Sequence, residues 1–112
     1  MPLNSIADER VDFRVPVDLL LNKYVRGRPY LAKATNISRR GLLMHRLFEP
    51  ENEERSVGLQ FMLPGTDRVI TCAGRVIYTD EQTETHGVKF THIAPEHQEL
   101  LDEYILRNLQ WP

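Results

Sequence analysis

Apolar residues of this chain recur at every second position in short runs, and turn-forming residues separate these runs. In the first run the apolar residues share one parity: Val15, Val17, Leu19 and Leu21. Polar residues or proline occupy most positions of the other parity. A period of two is typical of a half-buried β-strand, because successive side chains of a strand point to opposite faces. The pattern therefore predicts a mainly β protein that begins its first strand at Val15.

Five further segments have the composition of strands, and residues 26–29, 38–41, 48–55, 64–65 and 80–84 supply turns or loops between them. These expected strands are residues 30–37, 42–44, 57–63, 69–79 and 87–90. Several short strands with turn signals at this spacing predict an antiparallel barrel or sandwich.

The end of the chain has a different period. Ala94, Pro95 and Glu96 form a typical helix start, with proline in the first turn and an acid near the positive end of the helix dipole. Apolar residues then recur at helical spacing: Leu100, Leu101, Tyr104, Ile105 and Leu109. One amphipathic helix of about three to four turns is expected to pack its apolar stripe on the β structure.

Length and composition indicate one domain. The 112 residues are enough for one compact core and too few for two. Residues 1–14 are polar and have no periodicity, so we expect a flexible or loosely docked arm, followed by a single domain over residues 15–112. No apolar run approaches the ~20 residues of a membrane span, and the first ten residues have no signal-peptide pattern. A cytoplasmic protein without membrane insertion is expected.

Charge is distributed unevenly along the chain. Residues 1–46 carry nine basic and four acidic residues, a net charge of +5, whereas residues 47–112 carry five basic and twelve acidic residues, a net charge of −7. Arginine outnumbers lysine by eleven to three, and its forked donor suits phosphate and the edge of guanine. The chain can therefore bind an anion locally without being a general nucleic-acid binder.

Two short motifs lie in the basic half. Arg10 and Arg14 form R-x-x-x-R directly before the first strand, and residues 36–41, Asn-Ile-Ser-Arg-Arg-Gly, fit the pattern [D/N]-x-S-x-x-G. The second motif also has a structural interpretation, in which Asn36 and Ser38 bond the backbone of a turn and Gly41 adopts a positive φ. Each motif alone is weakly specific.

Together and in this order, the motifs resemble the signature of the PilZ domain family, receptors for the bacterial second messenger cyclic di-GMP. The resemblance covers residues 10–109 and includes Val-Pro-Val after the second arginine and Gly-Val-Lys-Phe at 87–90 before the helix. It implies an all-β fold, a six-stranded antiparallel split barrel with a C-terminal α-helix.

The resemblance also implies a binding site. Arg10 and Arg14 would wrap the dinucleotide from the arm and contact phosphate and a guanine edge. Asn36 and Ser38 would hold the other guanine from the barrel surface. Gly41 would permit the tight corner and a close approach of backbone to ligand. The arm is expected to become ordered on binding.

Three neighbouring residues affect these expectations. Glu9 stands where many relatives of the family place another arginine, which favours one bound ligand molecule over two stacked ones. Arg39 and Arg40 lie inside the corner motif and are expected to point to solvent.

No arrangement of residues indicates catalysis or a metal site. The four histidines are scattered, and no nucleophile motif surrounds Ser38. Cys72 lies among strand residues and is expected to be a buried, inert thiol. We therefore predict neither an enzyme nor a cofactor.

Alternatives to the receptor remain at this stage. The protein would be a receptor or adaptor that relays cyclic di-GMP to an unidentified effector protein, in motility, exopolysaccharide or biofilm control. A PilZ-like interaction module that binds no ligand is the first alternative. A small nucleic-acid-binding barrel is the second, and it is disfavoured because aromatic residues such as Phe61 and Phe90 occupy expected core positions.

Overall fold

The computed structural model describes residues 13–50 and 52–109, and it has six strands and one helix in that part of the chain. In chain order the elements are β1 (Val15–Val25), β2 (Arg28–Ile37), β3 (Gly41–Arg46), β4 (Ser56–Met62), β5 (Val69–Asp80), β6 (Thr85–Ile93) and α1 (Pro95–Asn108). Residues 1–12 of the predicted arm lie outside the described residues.

The strands form one closed barrel in the order β1-β2-β3-β6-β5-β4, and every neighbouring pair is antiparallel. Pairing of β1 with β4, from Asn22 with Gln60 to Tyr24 with Gly58, closes the ring. Closure removes the free edges that an open sheet would expose. The predicted six-stranded antiparallel barrel with a C-terminal helix is confirmed, and the sandwich is excluded.

Alternate residues of each strand face the interior and form the core. The apolar inward positions of the barrel include Leu19, Leu21, Ala32, Ala34, Leu42, Met44, Leu59, Phe61, Ile70, Val76, Val88 and Phe90. Helix α1 adds Leu101, Tyr104 and Ile105 to the same cluster, which confirms the predicted docking stripe. Burying each large apolar side chain stabilises the fold by about 1.5–3 kcal/mol.

The two ends of the barrel are defined here by the start and the finish of β3. At what we call the corner end, β3 begins at Gly41, beside Ile37 of β2, and Ile37 pairs with Val15 at the start of β1. At what we call the far end, β3 finishes at Arg46, next to the turn that joins β5 to β6. The turn between β1 and β2 also lies at the far end, where Val25 pairs with Arg28.

Candidate functional site

Asn36 lies near the end of β2, between two neighbouring strands. It pairs with Pro16 of β1 and with Leu43 of β3, and the ladder between β2 and β3 is irregular between Ala34 and Asn36. An irregularity of this kind re-aims the side chains around it. The half-buried Asn36 side chain is thereby held at the corner end of the barrel.

Arg14 precedes β1 and reaches this asparagine. Its guanidinium Nη1 donates a hydrogen bond to Asn36 Oδ1 at 2.8 Å. The contact follows from strand register, because Val15 pairs with Ile37 and the preceding residue therefore lies beside the end of β2. The structure thus brings the second arginine of R-x-x-x-R against the first residue of the corner motif. Arg10, the other arginine, lies outside the described residues.

Ser38 is fully buried, and its hydroxyl bonds the backbone of the corner. Ser38 Oγ accepts from the N–H groups of Arg40 and Gly41, at 3.1 and 3.2 Å, and it donates to the Gly41 carbonyl at 3.4 Å. The Ser38 N–H also donates to that carbonyl, at 2.8 Å. The expected contact between this hydroxyl and guanine stays a prediction. Within the chain, the Ser38 hydroxyl fixes the shape of the corner.

Gly41 has no room for a side chain, and its expected role in a close approach of backbone to ligand stays a prediction. Within the described residues only Gly27 and Gly65 are glycines with positive φ, so the expectation of a positive φ at Gly41 is wrong. A Cβ at Gly41 would collide with the carbonyl oxygen of Val88, because β6 passes directly beside the start of β3. Glycine at this position permits close pairing of two strands.

Arg39 is bound to helix α1 and does not point freely to solvent. Its Nε and Nη2 donate to Oδ1 and Oδ2 of Asp102 at 3.0 and 3.1 Å, and the two side chains are 29% and 26% exposed. Gln98 also donates to Asp102 Oδ1, at 2.8 Å. The prediction of a solvated Arg39 was wrong because the carboxylate comes from a helix 63 positions further along the chain. The Arg40 side chain is half-buried.

Basic side chains from several elements lie at the corner end: Arg14, Arg39, Arg40 and Lys89. Lys89 pairs with Gly41 across the β3–β6 ladder and is exposed, so it adds a cation next to the end of the corner motif. Sequence reasoning did not select Lys89, although it lies in the Gly-Val-Lys-Phe segment and alternates with buried neighbours. A convergence of arginine forks and an ammonium group is suited to an anionic ligand.

The chain has one thiol, at the half-buried Cys72. Burial raises the pKa of the Cys72 thiol to about 12, so the thiol is protonated at neutral pH, in agreement with the predicted inert cysteine. Among residues 13–50 and 52–109, no group of three or more His, Cys, Asp or Glu side chains could hold a metal ion. In the same part of the chain, no helix has the length and apolar character needed to cross a membrane.

A closed six-stranded barrel, a terminal helix and an arginine–asparagine contact at a basic corner together define a β-barrel domain with a surface suited to an anion. The family model described as the PilZ domain matches residues 8–107 of this chain. The chain therefore belongs to the PilZ domain family, a family of receptor and adaptor domains, and no enzyme family is indicated.

Two solved structures show the same fold. The structure of the Bacillus subtilis inhibitor of motility, MotI (DgrA), has a TM-score of 0.73 and 21% sequence identity, and the match covers 89% of this chain and 51% of that one. This chain thus spans about half the length of MotI. The PilZ domain of YcgR from Escherichia coli, solved with cyclic di-GMP, has a TM-score of 0.66 and 12% identity over 90% of this chain and 92% of that one. A search of curated proteins found no match.

Proposed function

We propose that this PilZ domain is a cytoplasmic receptor for cyclic di-GMP, with a site formed by Arg10, Arg14, Asn36, Ser38 and Gly41. The observation that carries the proposal is the 2.8 Å hydrogen bond between Arg14 and Asn36, because it joins two motifs that lie 22 positions apart. The YcgR PilZ domain solved with cyclic di-GMP supports the choice of ligand.

The chemistry of the pair fits the ligand. The exposed Arg14 guanidinium offers a fork that can meet a phosphate or the O6 and N7 acceptors of guanine. Bound ligand would replace Asn36 as the partner of Arg14, because a phosphate is a stronger acceptor for a guanidinium than a neutral amide is. The released Asn36 Oδ1 then accepts from the N–H groups of the second guanine.

The other members of the site have different tasks. Arg10 supplies a second guanidinium from the arm. Ser38 and Gly41 keep the corner in shape, because the serine hydroxyl bonds the corner backbone and the glycine leaves room for β6. We propose one cyclic di-GMP per chain, since residue 9 is Glu, where the family resemblance implies another arginine in many members.

The proposed output is a protein contact. A receptor domain without catalytic groups acts by changing its surface, so binding of the messenger would be relayed to an effector protein. Motility control is the favoured process because MotI is described as an inhibitor of motility, with exopolysaccharide and biofilm control as related outputs.

Isothermal titration calorimetry with cyclic di-GMP tests the proposal. The parent chain is expected to bind saturably with one ligand per chain, and Arg14→Ala is expected to lose about 1–3 kcal/mol, or about 5- to 150-fold in affinity. Arg28→Ala is the matched control, because Arg28 is also exposed but begins β2 at the far end.

Two results would contradict the proposal. A parent chain that releases no saturable heat would be the interaction module that binds no ligand. An Arg14→Ala variant that binds as tightly as Arg28→Ala would remove Arg14 from the site. Filter binding of single-stranded DNA across a salt series tests the nucleic-acid alternative, which requires tight, steeply salt-dependent binding.

A further inference from the structure

A buried polar cluster occupies the far end of the barrel, opposite the proposed cyclic di-GMP site. Lys23 of β1, Arg46 of β3 and His86 of β6 continue the inward-facing parity of the apolar residues on their strands. Lys23 Nζ donates to both carboxylate oxygens of Glu49 at 3.0 Å, and both side chains are only 1% exposed. We call Lys23, Arg46, Glu49 and His86 the far-end cluster.

Two members of the far-end cluster have buried polar atoms without a partner. His86 is 8% exposed, and neither ring nitrogen has a hydrogen-bond partner within the described residues. The same is true of Arg46 Nε. Native proteins pair the great majority of such atoms with protein groups, water or ligands. These nitrogen atoms are almost fully buried at the wall of a cavity, so His86 and Arg46 have unused hydrogen-bonding capacity beside it.

Both residues line a cavity that can accept a molecule. The cavity measures about 680 Å³, and its wall includes Arg46, Val76 and His86, with residues 52–55, Thr79 and Glu81 around them. Sites for small molecules in proteins have volumes of about 300–1,000 Å³ and combine concavity with a few convergent polar groups. The far end has both properties.

The charges of the far-end cluster favour an anionic group in the cavity. Lys23 and the half-buried Arg46 are two cations against the single carboxylate of Glu49, so the far-end cluster has one cation in excess. The pKa of His86 lies below its ordinary value, first because burial removes water from the ring and then because of the nearby Lys23 and Arg46, with Glu49 opposing them. The imidazole is thus neutral at pH 7 and offers one N–H donor beside the guanidinium.

The outer part of the cavity has the opposite sign. Glu53, Glu54 and Glu81 contribute carboxylates there against Arg55, and Glu54 is bound to Arg26 at 3.2 Å. These acidic groups repel a long polyanion such as nucleic acid along its whole length, whereas a molecule that fits within about 680 Å³ needs to bring only one anionic group past them to Arg46. The occupant is therefore a small molecule.

We infer that the far end of the barrel is a second binding site, which takes a small molecule through a carboxylate or phosphate group held by Arg46 and His86. The site is separate from the corner in position and in chemistry. It does not depend on whether the corner binds cyclic di-GMP.

The first experiment is an NMR titration of the full chain with inorganic phosphate at pH 7 and constant ionic strength. The Cε1–Hε1 signal of His86, assigned by its loss in His86→Gln, is expected to shift saturably. The signal of the exposed His92 serves as an internal control and is expected to stay in place. A His86 signal that does not move with phosphate or with acetate, or that moves only in parallel with His92, overturns the inference.

Two variants test whether Arg46 is the group that binds phosphate. Arg46→Met is expected to raise the phosphate concentration at half-saturation about tenfold or more, because a hydrogen bond to a charged group is lost. Arg68→Met, which removes an exposed arginine from the loop before β5, is expected to leave the midpoint unchanged. Equal midpoints in Arg46→Met and the parent would overturn the assignment.

The parent chain alone decides the question if Arg46→Met fails to fold. Phosphate, acetate and chloride are then compared at the same ionic strength. Saturation with phosphate alone identifies a phosphate site, and saturation with acetate alone identifies a carboxylate site. A response to chloride equal to that of both oxyanions means general screening by salt and overturns the inference.

Discussion

The ion pair between Lys23 and Glu49 is predicted to contribute strongly to folding stability. In Glu49→Gln, Lys23 keeps its charge in a position that is 1% exposed and loses both of its 3.0 Å contacts to a carboxylate. Removing one partner of a buried ion pair costs about 3–5 kcal/mol, because the remaining charge is left without compensation. The free energy of unfolding of a small domain is only about 5–15 kcal/mol, so this loss is a large fraction of it.

Urea unfolding at pH 7 measures this effect. With a denaturant dependence of about 1–3 kcal/mol per molar urea, a loss of 3 kcal/mol lowers the midpoint by roughly 1 M or more. Glu53→Gln is the control, because Glu53 is an exposed carboxylate in the same loop and its change is expected to stay within about 0.5 kcal/mol. A Glu49→Gln variant with the same urea midpoint as Glu53→Gln would refute the reasoning.

A double substitution separates the ion pair from the space that it fills. Replacing Lys23 and Glu49 together by methionine removes both charges, and apolar replacements of buried pairs are often neutral or stabilising by about 1–4 kcal/mol. The double variant is therefore expected to be more stable than Glu49→Gln. A double variant that is less stable than the single one would show that the two residues do not act as a pair.

Three further predictions concern the corner and the far end. Gly41→Ala is expected to destabilise the fold by about 1–3 kcal/mol, because the added methyl group meets the backbone carbonyl of Val88; urea unfolding measures this loss, and a neutral change would contradict the contact. A double-mutant cycle of Arg39→Ala and Asp102→Ala is expected to give a coupling of about 1 kcal/mol for their partly exposed pair, and additive effects would contradict it. His86 has a pKa lower in the folded chain than the ordinary 6.5, so the unfolded chain binds more protons as the pH falls below 6.5. Stability is therefore expected to fall more steeply between pH 7.5 and pH 5.5 in the parent than in His86→Gln, and equal slopes would contradict the lowered pKa.

Local periodicity was sufficient to predict the elements of the fold. The alternation from Val15 to Leu21 predicted β1, but the structure extends this strand to Val25. Lys23 falls on the inward parity, and a charged residue at such a position conceals the pattern unless its partner is known. Glu49 is that partner, and it lies in a loop whose path a sequence pattern does not reveal.

The candidate site was less accessible to sequence reasoning than the fold. The motifs marked Arg14 and Asn36, whose side chains meet in the structure, while the role of Arg10 stays a prediction. The sequence could not distinguish a Gly41 that needs positive φ from a Gly41 that needs space beside Val88, because both require the same residue. The partner of Arg39 depends on where α1 packs, and that placement is decided only by the whole core.

The bond between Arg39 and Asp102 has a thermodynamic consequence for any anion that contacts Arg39 at the corner. The guanidinium fork of Arg39 is already occupied by the carboxylate of α1, so a phosphate can use it only by competing with the helix. The free energy of binding such an anion and the free energy of packing α1 on the barrel are then coupled, and each changes the other by the same amount. A substitution at Asp102 would accordingly act on two equilibria at once.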